Sequence, residues 1–313
     1  MNKLAIILPC WNEEDVLQLS INILSEYFNN LIEKRIISKD SFLCFVDDGS
    51  EDDTWKIVTK NSNRNLIGVK LSSNCGHQNA LLAGLLSNKN KADMYITMDC
   101  DLQDDINAIQ DMIASFKDGN EVVYGVRKSR ATDTLFKRKS AEIYYNLQHK
   151  IGIKSVKNHA DFRIISNNVL CHLEEFSEVN LYLRAMFPII GFKNNAVYYD
   201  RKERLAGESK YPLKKMLAFA WDGITSFSVY PLKLITFFGL VIFILSMLSI
   251  AYVIFIKIFT DMAVSGWAST NIPIYFLGGI QLLSIGIIGE YIGKIYKETK
   301  QRPRYIIEKN SRD

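Results

Sequence analysis

Residues 94–104 read MYITMDCDLQD, a short apolar run that stops at a cluster of acids. The run has the length of one buried strand. Its apolar character is continuous rather than alternating, as expected where helices cover both faces of a sheet. Four more runs share this form, at residues 4–8, 42–46, 66–71 and 122–124, and helix-length segments separate most of them. Strand and helix in alternation predict a parallel sheet, so residues 1–211 read as one doubly wound α/β domain.

In an open sheet of this kind ligands bind beyond the carboxyl ends of the strands. After the first run comes Pro9-Cys10-Trp11-Asn12-Glu13-Glu14, after the second Asp47-Asp48-Gly49-Ser50, and after the fourth Asp99-Cys100-Asp101-Leu102-Gln103-Asp104. Each cluster alone has an ordinary explanation. Asp48 to Asp53 fits a turn and a helix cap, and Glu13 and Glu14 suit the start of a helix. Three such clusters at three strand ends point instead to a shared site. Asp99 and Asp101, two residues apart where a strand opens into a loop, can turn both carboxylates toward one hard cation. So many acids would repel a diphosphate unless Mg²⁺ or Mn²⁺ lay between them, so the pattern implies a divalent metal.

The last third differs in composition. Residues 232–256 carry Lys233 as their only charge and residues 272–289 carry none, so each can span a hydrocarbon core of about 30 Å. This reading gives an amphipathic juxtamembrane helix at 212–230, spans at 231–257 and 272–293, an extracytoplasmic loop at 258–271 and a basic tail at 294–313. The loop lacks Lys and Arg over residues 258–270, whereas Lys294, Lys297, Lys300, Arg302, Arg304, Lys309 and Arg312 follow the second span. Positive charge marks the cytoplasmic side, and two crossings put the α/β domain there as well. The five cysteines include no CxxC pair, which argues against a disulfide framework or a zinc site and suits a reducing compartment. The N-terminal apolar run is too short for a signal peptide. A net charge of +4, concentrated in a few segments, excludes a general nucleic-acid surface.

Taken in order, LPCWNEE, VDDGS and MDCDLQD resemble the signature of a family 2 glycosyltransferase with the GT-A nucleotide-sugar fold. Further on, YGVRKSR, ADFRI and RLAGESKYPLKK, then two apolar stretches and GEYIGKIY, are similar to polyprenyl-phosphate (bactoprenol) glycosyltransferases related to dolichol-phosphate mannose synthase. The resemblance implies that Pro9, Trp11, Asn12, Glu13, Val46, Asp47 and Asp48 hold the nucleoside of a nucleotide-sugar. It places Asp99, Cys100, Asp101 and Gln103 at the diphosphate, with Asp99, Asp101 and Gln103 around Mg²⁺ or Mn²⁺. Asp101, Asp161 and Arg127 become the catalytic set, and Arg127, Arg163, Arg204 and Lys210 the cations for the acceptor phosphate. Arg163 has the alternative of pairing with Asp161 alone. Cys100 and Asp105-Ile106 depart from the alanine and proline pair frequent in the family, without removing a ligand. The four histidines, His77, His149, His159 and His172, lack metal-ligand spacing and are assigned packing or surface roles.

The implied reaction moves a hexose, glucose from UDP-glucose being the first choice, onto undecaprenyl or another polyprenyl phosphate at the cytoplasmic membrane. The product would be a lipid-linked sugar for cell-envelope glycan modification. A phosphate monoester has its second pKa at about 6, so it is already a nucleophile near neutrality and needs no strong base. One displacement would invert the anomeric centre, and positioning and charge would be the enzyme's contribution. A separate flippase and a downstream transferase are the expected partners. Gly278, Gly279, Gly286, Gly289 and Gly293 offer a packing face for a homo-oligomer. Competing readings are a processive polysaccharide synthase, for which a Gln-x-x-Arg-Trp segment is missing, a lipid-flipping transporter, and a non-catalytic membrane scaffold on a retained GT-A fold.

Overall fold

The computed structural model describes residues 1–128, 159–179, 183–200, 225, 230–259 and 267–311. Two units emerge, one formed by Met1–Pro212 together with Gln301–Asp313 and the other by Leu213–Lys300.

In the first unit the five apolar runs become β1 (Leu4–Cys10), β2 (Phe42–Asp47), β3 (Leu66–Leu71), β4 (Met94–Thr97) and β5 (Val122–Arg127). Between them lie α1 (Glu14–Glu33), α2 (Thr54–Asn61), α3 (His77–Ser87) and α4 (Ala108–Lys117). The amphipathic spacing of Leu17, Ile21, Leu24, Phe28 and Leu31 gives α1 one buried stripe. The helix α3 approaches the sheet closely at Gly84, where a Cβ would lie 2.4 Å from Ile7 Cγ2 and 2.6 Å from Val46 Cγ2. Every residue of β1 and β2 is buried, as strands covered on both faces require.

The sheet has eight strands in the order β7-β5-β6-β4-β1-β2-β3-β8, and it is mixed rather than wholly parallel. Pairings β1–β2, β1–β4 and β2–β3 are parallel. The added strand β6 (His159–Ser166) lies antiparallel between β4 and β5, which corrects the all-parallel expectation. After it come α5 (Asn167–Glu174), α6 (Leu183–Ile190) and β7 (Asn194–Tyr199), the last pairing parallel with β5.

In the second unit, α7 (Tyr230–Phe259) and α8 (Trp267–Thr299) have 30 and 33 residues. At about 1.5 Å per residue each exceeds the thickness of a bilayer core. Their apolar side chains are largely uncovered, among them Phe237, Phe238, Leu248, Leu282 and Leu283. Among the described residues, Phe276–Thr299 is long and apolar enough to cross a membrane, and Tyr230–Ile242 is a shorter apolar stretch. The expected juxtamembrane helix lies, apart from Thr225 and Tyr230, outside the described residues.

The basic tail is not a free appendage. Its end folds as β8 (Ile307–Asn310), antiparallel to β3, and completes the sheet of the first unit. The backbone groups that β3 would otherwise present on an open edge account for the docking of so short and polar a strand.

Candidate active site

The loops after β1 and β2 are stitched together. The Asn12 N–H donates to Ser50 Oγ at 3.0 Å, the Glu51 N–H donates to Asn12 Oδ1 at 2.9 Å, and the Glu13 N–H donates to Thr54 Oγ1 at 2.9 Å. Asn12 takes a left-handed conformation, with φ 51°. Trp11 beside it stays 46% exposed, an aromatic face left for a ligand. Pro9 and Val46 are buried in the sheet beneath this rim. Asp47 is also fully buried, and its Oδ1 accepts the Ser50 N–H at 3.0 Å and holds the turn from below.

Asp48 faces the loop after β3. It accepts the N–H groups of Cys75 at 2.7 Å and Gly76 at 2.9 Å. Burial raises its pKa, and these two amides counter only part of that rise. Gly49 follows with φ +66°, and a Cβ there would stand 2.5 Å from the Ser73 carbonyl carbon, so the turn admits only glycine without displacement.

The same loop ends at His77, whose Nε2 lies 3.5 Å from Asp99 and 3.6 Å from Asp161. Asp99 sits deep in a cleft yet keeps 41% of its side-chain surface. Burial by the cleft walls pushes its carboxyl up to about 6, and the charges of Asp104, Asp161 and Asp101 add to this against the opposing His77. Asp101 accepts the Gln103 N–H at 3.2 Å, and the Gln103 side chain is mostly buried. Cys100 turns into the core, where it is 5% exposed.

Asp161, on β6, gathers cations. It accepts bonds from Arg163 and, through both oxygens, from Arg184 of α6 at 3.3 and 3.0 Å. Burial would raise its pKa, but Arg184, the His77 hydrogen bond and Arg163 hold it well below the carboxylate range. Arg163 is 1% exposed and stacks over Phe187 at 4.9 Å. It therefore supports Asp161 from beneath, through the ion pair that was the alternative to an acceptor-phosphate role. Arg127 donates to Asp104 at 3.3 Å and to Tyr199 Oη at 3.4 Å, while the Tyr199 hydroxyl donates to Asp104. Its guanidinium is 22% exposed, so one face remains at the rim. Arg204, Lys210 and His149 lie outside the described residues.

His77, Arg184, Asp104 and Tyr199 were absent from the predicted site. The first had only a weak signal, because it lies six residues beyond the end of β3 in a loop with no acidic cluster. Arg184 had none in its local sequence.

Carboxylates, a histidine and arginines thus gather at one end of the sheet. The glycosyl transferase family 2 model matches residues 5–172, and the chain belongs to that family and is a transferase. It is 52% identical to "Uncharacterized glycosyltransferase YkoT" of Bacillus subtilis over 97% of this chain and 91% of the relative. It is 36% identical to the "Prophage bactoprenol glucosyl transferase homolog" of Escherichia coli, covering 98% of this chain and 99% of the relative. The "Bactoprenol glucosyl transferase" of Shigella phage SfX is also 36% identical, with the same coverages.

Proposed function

We propose that the protein transfers a hexose, glucose from UDP-glucose in the first instance, to undecaprenyl or another polyprenyl phosphate at the cytoplasmic face of a membrane. The observation that carries the reading is the convergence of Asp99 and Asp161 on His77, with Arg184 anchored on Asp161. Acidic groups suited to a nucleoside diphosphate thus stand beside cations suited to an acceptor phosphate. Near full-length similarity to relatives named for bactoprenol glucosyl transfer supports both the lipid acceptor and the sugar.

Asp48 and Trp11 would receive the nucleoside. Among the described residues no three His, Cys, Asp or Glu side chains form a metal cage. Two carboxylates suffice for Mg²⁺ or Mn²⁺ when substrate phosphates and water complete the coordination, and the acids Asp101, Asp104 and Asp161 around Asp99 fit such a cation. Asp99 and Asp101, with Gln103 beside them, would hold the ion, which when bound supplies the charge that stabilises the departing nucleoside diphosphate. Arg127 and Arg184, joined by Arg204 and Lys210, would orient the acceptor phosphate for a single inverting displacement. Asp161 fixes the direction of these cations and need not abstract a proton.

The apolar surfaces of α7 and α8 support two membrane spans. The return of β8 to the sheet of the catalytic unit supports an even number of crossings. Lys294, Lys297 and Lys300 support a cytoplasmic catalytic side. The lipid-linked product would pass to a separate flippase and a second transferase.

The test incubates the detergent-purified protein and an Asp101→Ala variant with undecaprenyl phosphate, Mg²⁺ or Mn²⁺ and labelled UDP- and GDP-sugars. Label entering organic-extractable lipid, dependent on metal and on Asp101, is the expected result and names the sugar. Label entering polymer instead, or no transfer by a folded protein, overturns it.

A further inference from the structure

The strand β8 carries none of the predicted site residues, yet it is fastened to the strand that leads into the site. Val69, Lys70 and Leu71 pair with Asn310, Lys309 and Ile307, with a bulge between Lys70 and Leu71. The Ser72 N–H donates to the Ile306 carbonyl at 2.9 Å, and the Ser311 N–H donates to the Gly68 carbonyl at 2.9 Å. The Gly68 N–H donates to Ser311 Oγ at 2.7 Å, and Lys70 pairs with Glu308 at 2.9 Å. Arg304 adds a bond to the Phe176 carbonyl. The contact at Ser72 lies at the start of the loop whose Cys75 and Gly76 amides hold Asp48 and whose His77 meets Asp99 and Asp161.

Without β8, β3 would be an edge strand, and its last residues would fray on the sheet side where the loop begins. We propose that β8 is a positioning element of the active site: by fixing the end of β3 it sets the loop 72–77, and with it the placement of Asp48 and His77 on which donor binding depends. The chain reaches β8 directly from α8 through residues 300–306. The helix assigned to the membrane and the donor loop are therefore linked by one short segment. The inference rests on the nucleotide-sugar reading above.

The full-length protein is compared with a deletion of residues 301–313, with Lys70→Glu, with Glu308→Lys and with the double reversal. The readouts are amide exchange over residues 68–77, affinity for UDP, donor KM and kcat. The deletion is expected to open exchange through the loop and to raise both the UDP Kd and the donor KM by about tenfold, the scale of one lost charge-assisted hydrogen bond. Each single reversal places like charges together and shifts these values in the same direction, and the double reversal restores them. A tail that merely stabilised the fold would lower the active fraction and leave UDP affinity and donor KM unchanged. Open exchange at residues 68–72 with wild-type UDP affinity, in the deletion or in either single reversal, overturns the proposal. The reversals decide the matter if the deletion does not fold. Nucleotide binding is measured without lipid, so a failed acceptor assignment stays distinguishable from a failed positioning role.

Discussion

Replacing Asp161 by asparagine keeps the side-chain volume and removes the one charge on which Arg163 and Arg184 converge. Arg184 is 30% exposed and can turn to water. Arg163 cannot, because it is 1% exposed and held over Phe187. Losing the carboxylate half of a buried ion pair costs about 3–5 kcal/mol, a large part of a typical domain stability of roughly 5–15 kcal/mol. For a domain of this size the melting temperature should fall by roughly 6–20 °C. Thermal unfolding followed by tryptophan fluorescence measures this, with Asp161→Asn/Arg163→Met beside it. The double variant removes both halves of the pair and should recover most of the lost stability while staying inactive. The folded pKa of Asp161 is depressed, so the pair contributes fully above the unfolded value of about 3.9 and is lost as pH falls through the folded one. Wild type should therefore show an acid loss of stability below about pH 4 that Asp161→Asn lacks. A single variant melting within about a degree of wild type would refute the argument.

Three further outcomes are expected. Initial rates for His77→Gln should show kcat/KM reduced by about 10–100-fold with little change in melting temperature, since the imidazole links two carboxylates but is 38% exposed; unaltered rates would remove it from the site. Gly49→Ala forces a Cβ against Ser73 in a left-handed turn and should cost about 1–3 kcal/mol in strain alone, with weakened UDP binding by calorimetry; a stable variant binding normally would contradict the turn geometry. Chelation with EDTA should abolish lipid labelling reversibly and leave the nucleotide-free melting temperature within about a degree, because the ion is held mainly through substrate phosphates. A large loss of stability would instead indicate a structural metal.

The core of the fold was legible because the runs that form β1 to β5 are apolar throughout, Lys70 of β3 aside, the pattern that a doubly covered strand leaves in a sequence. The strand β6 escaped notice because HADFRIIS places Asp161 and Arg163 inside a buried strand, where the site's chemistry overrides the apolar pattern. Edge strands β7 and β8, reading NNAVYY and IEKN, are half polar because one side faces solvent. Asp99 and Asp101 are singled out by their spacing alone, whereas Asp161 is reached only through family resemblance. Cys100 shares the acidic motif, but its side chain packs into the core. Arg184 becomes part of the site only when α6 folds back on β6, a contact that short-range sequence does not encode.

The closing strand of the sheet is also the last part of it to leave the ribosome. By the time Ile307–Asn310 emerge, α7 and α8 have already been translated, so β3 keeps an open edge throughout the synthesis of both apolar helices. Chains arrested before residue 301 carry every acidic residue of the cleft but not the strand that seals its flank. Order of synthesis thereby ties the completion of the sheet to the completed production of α7 and α8.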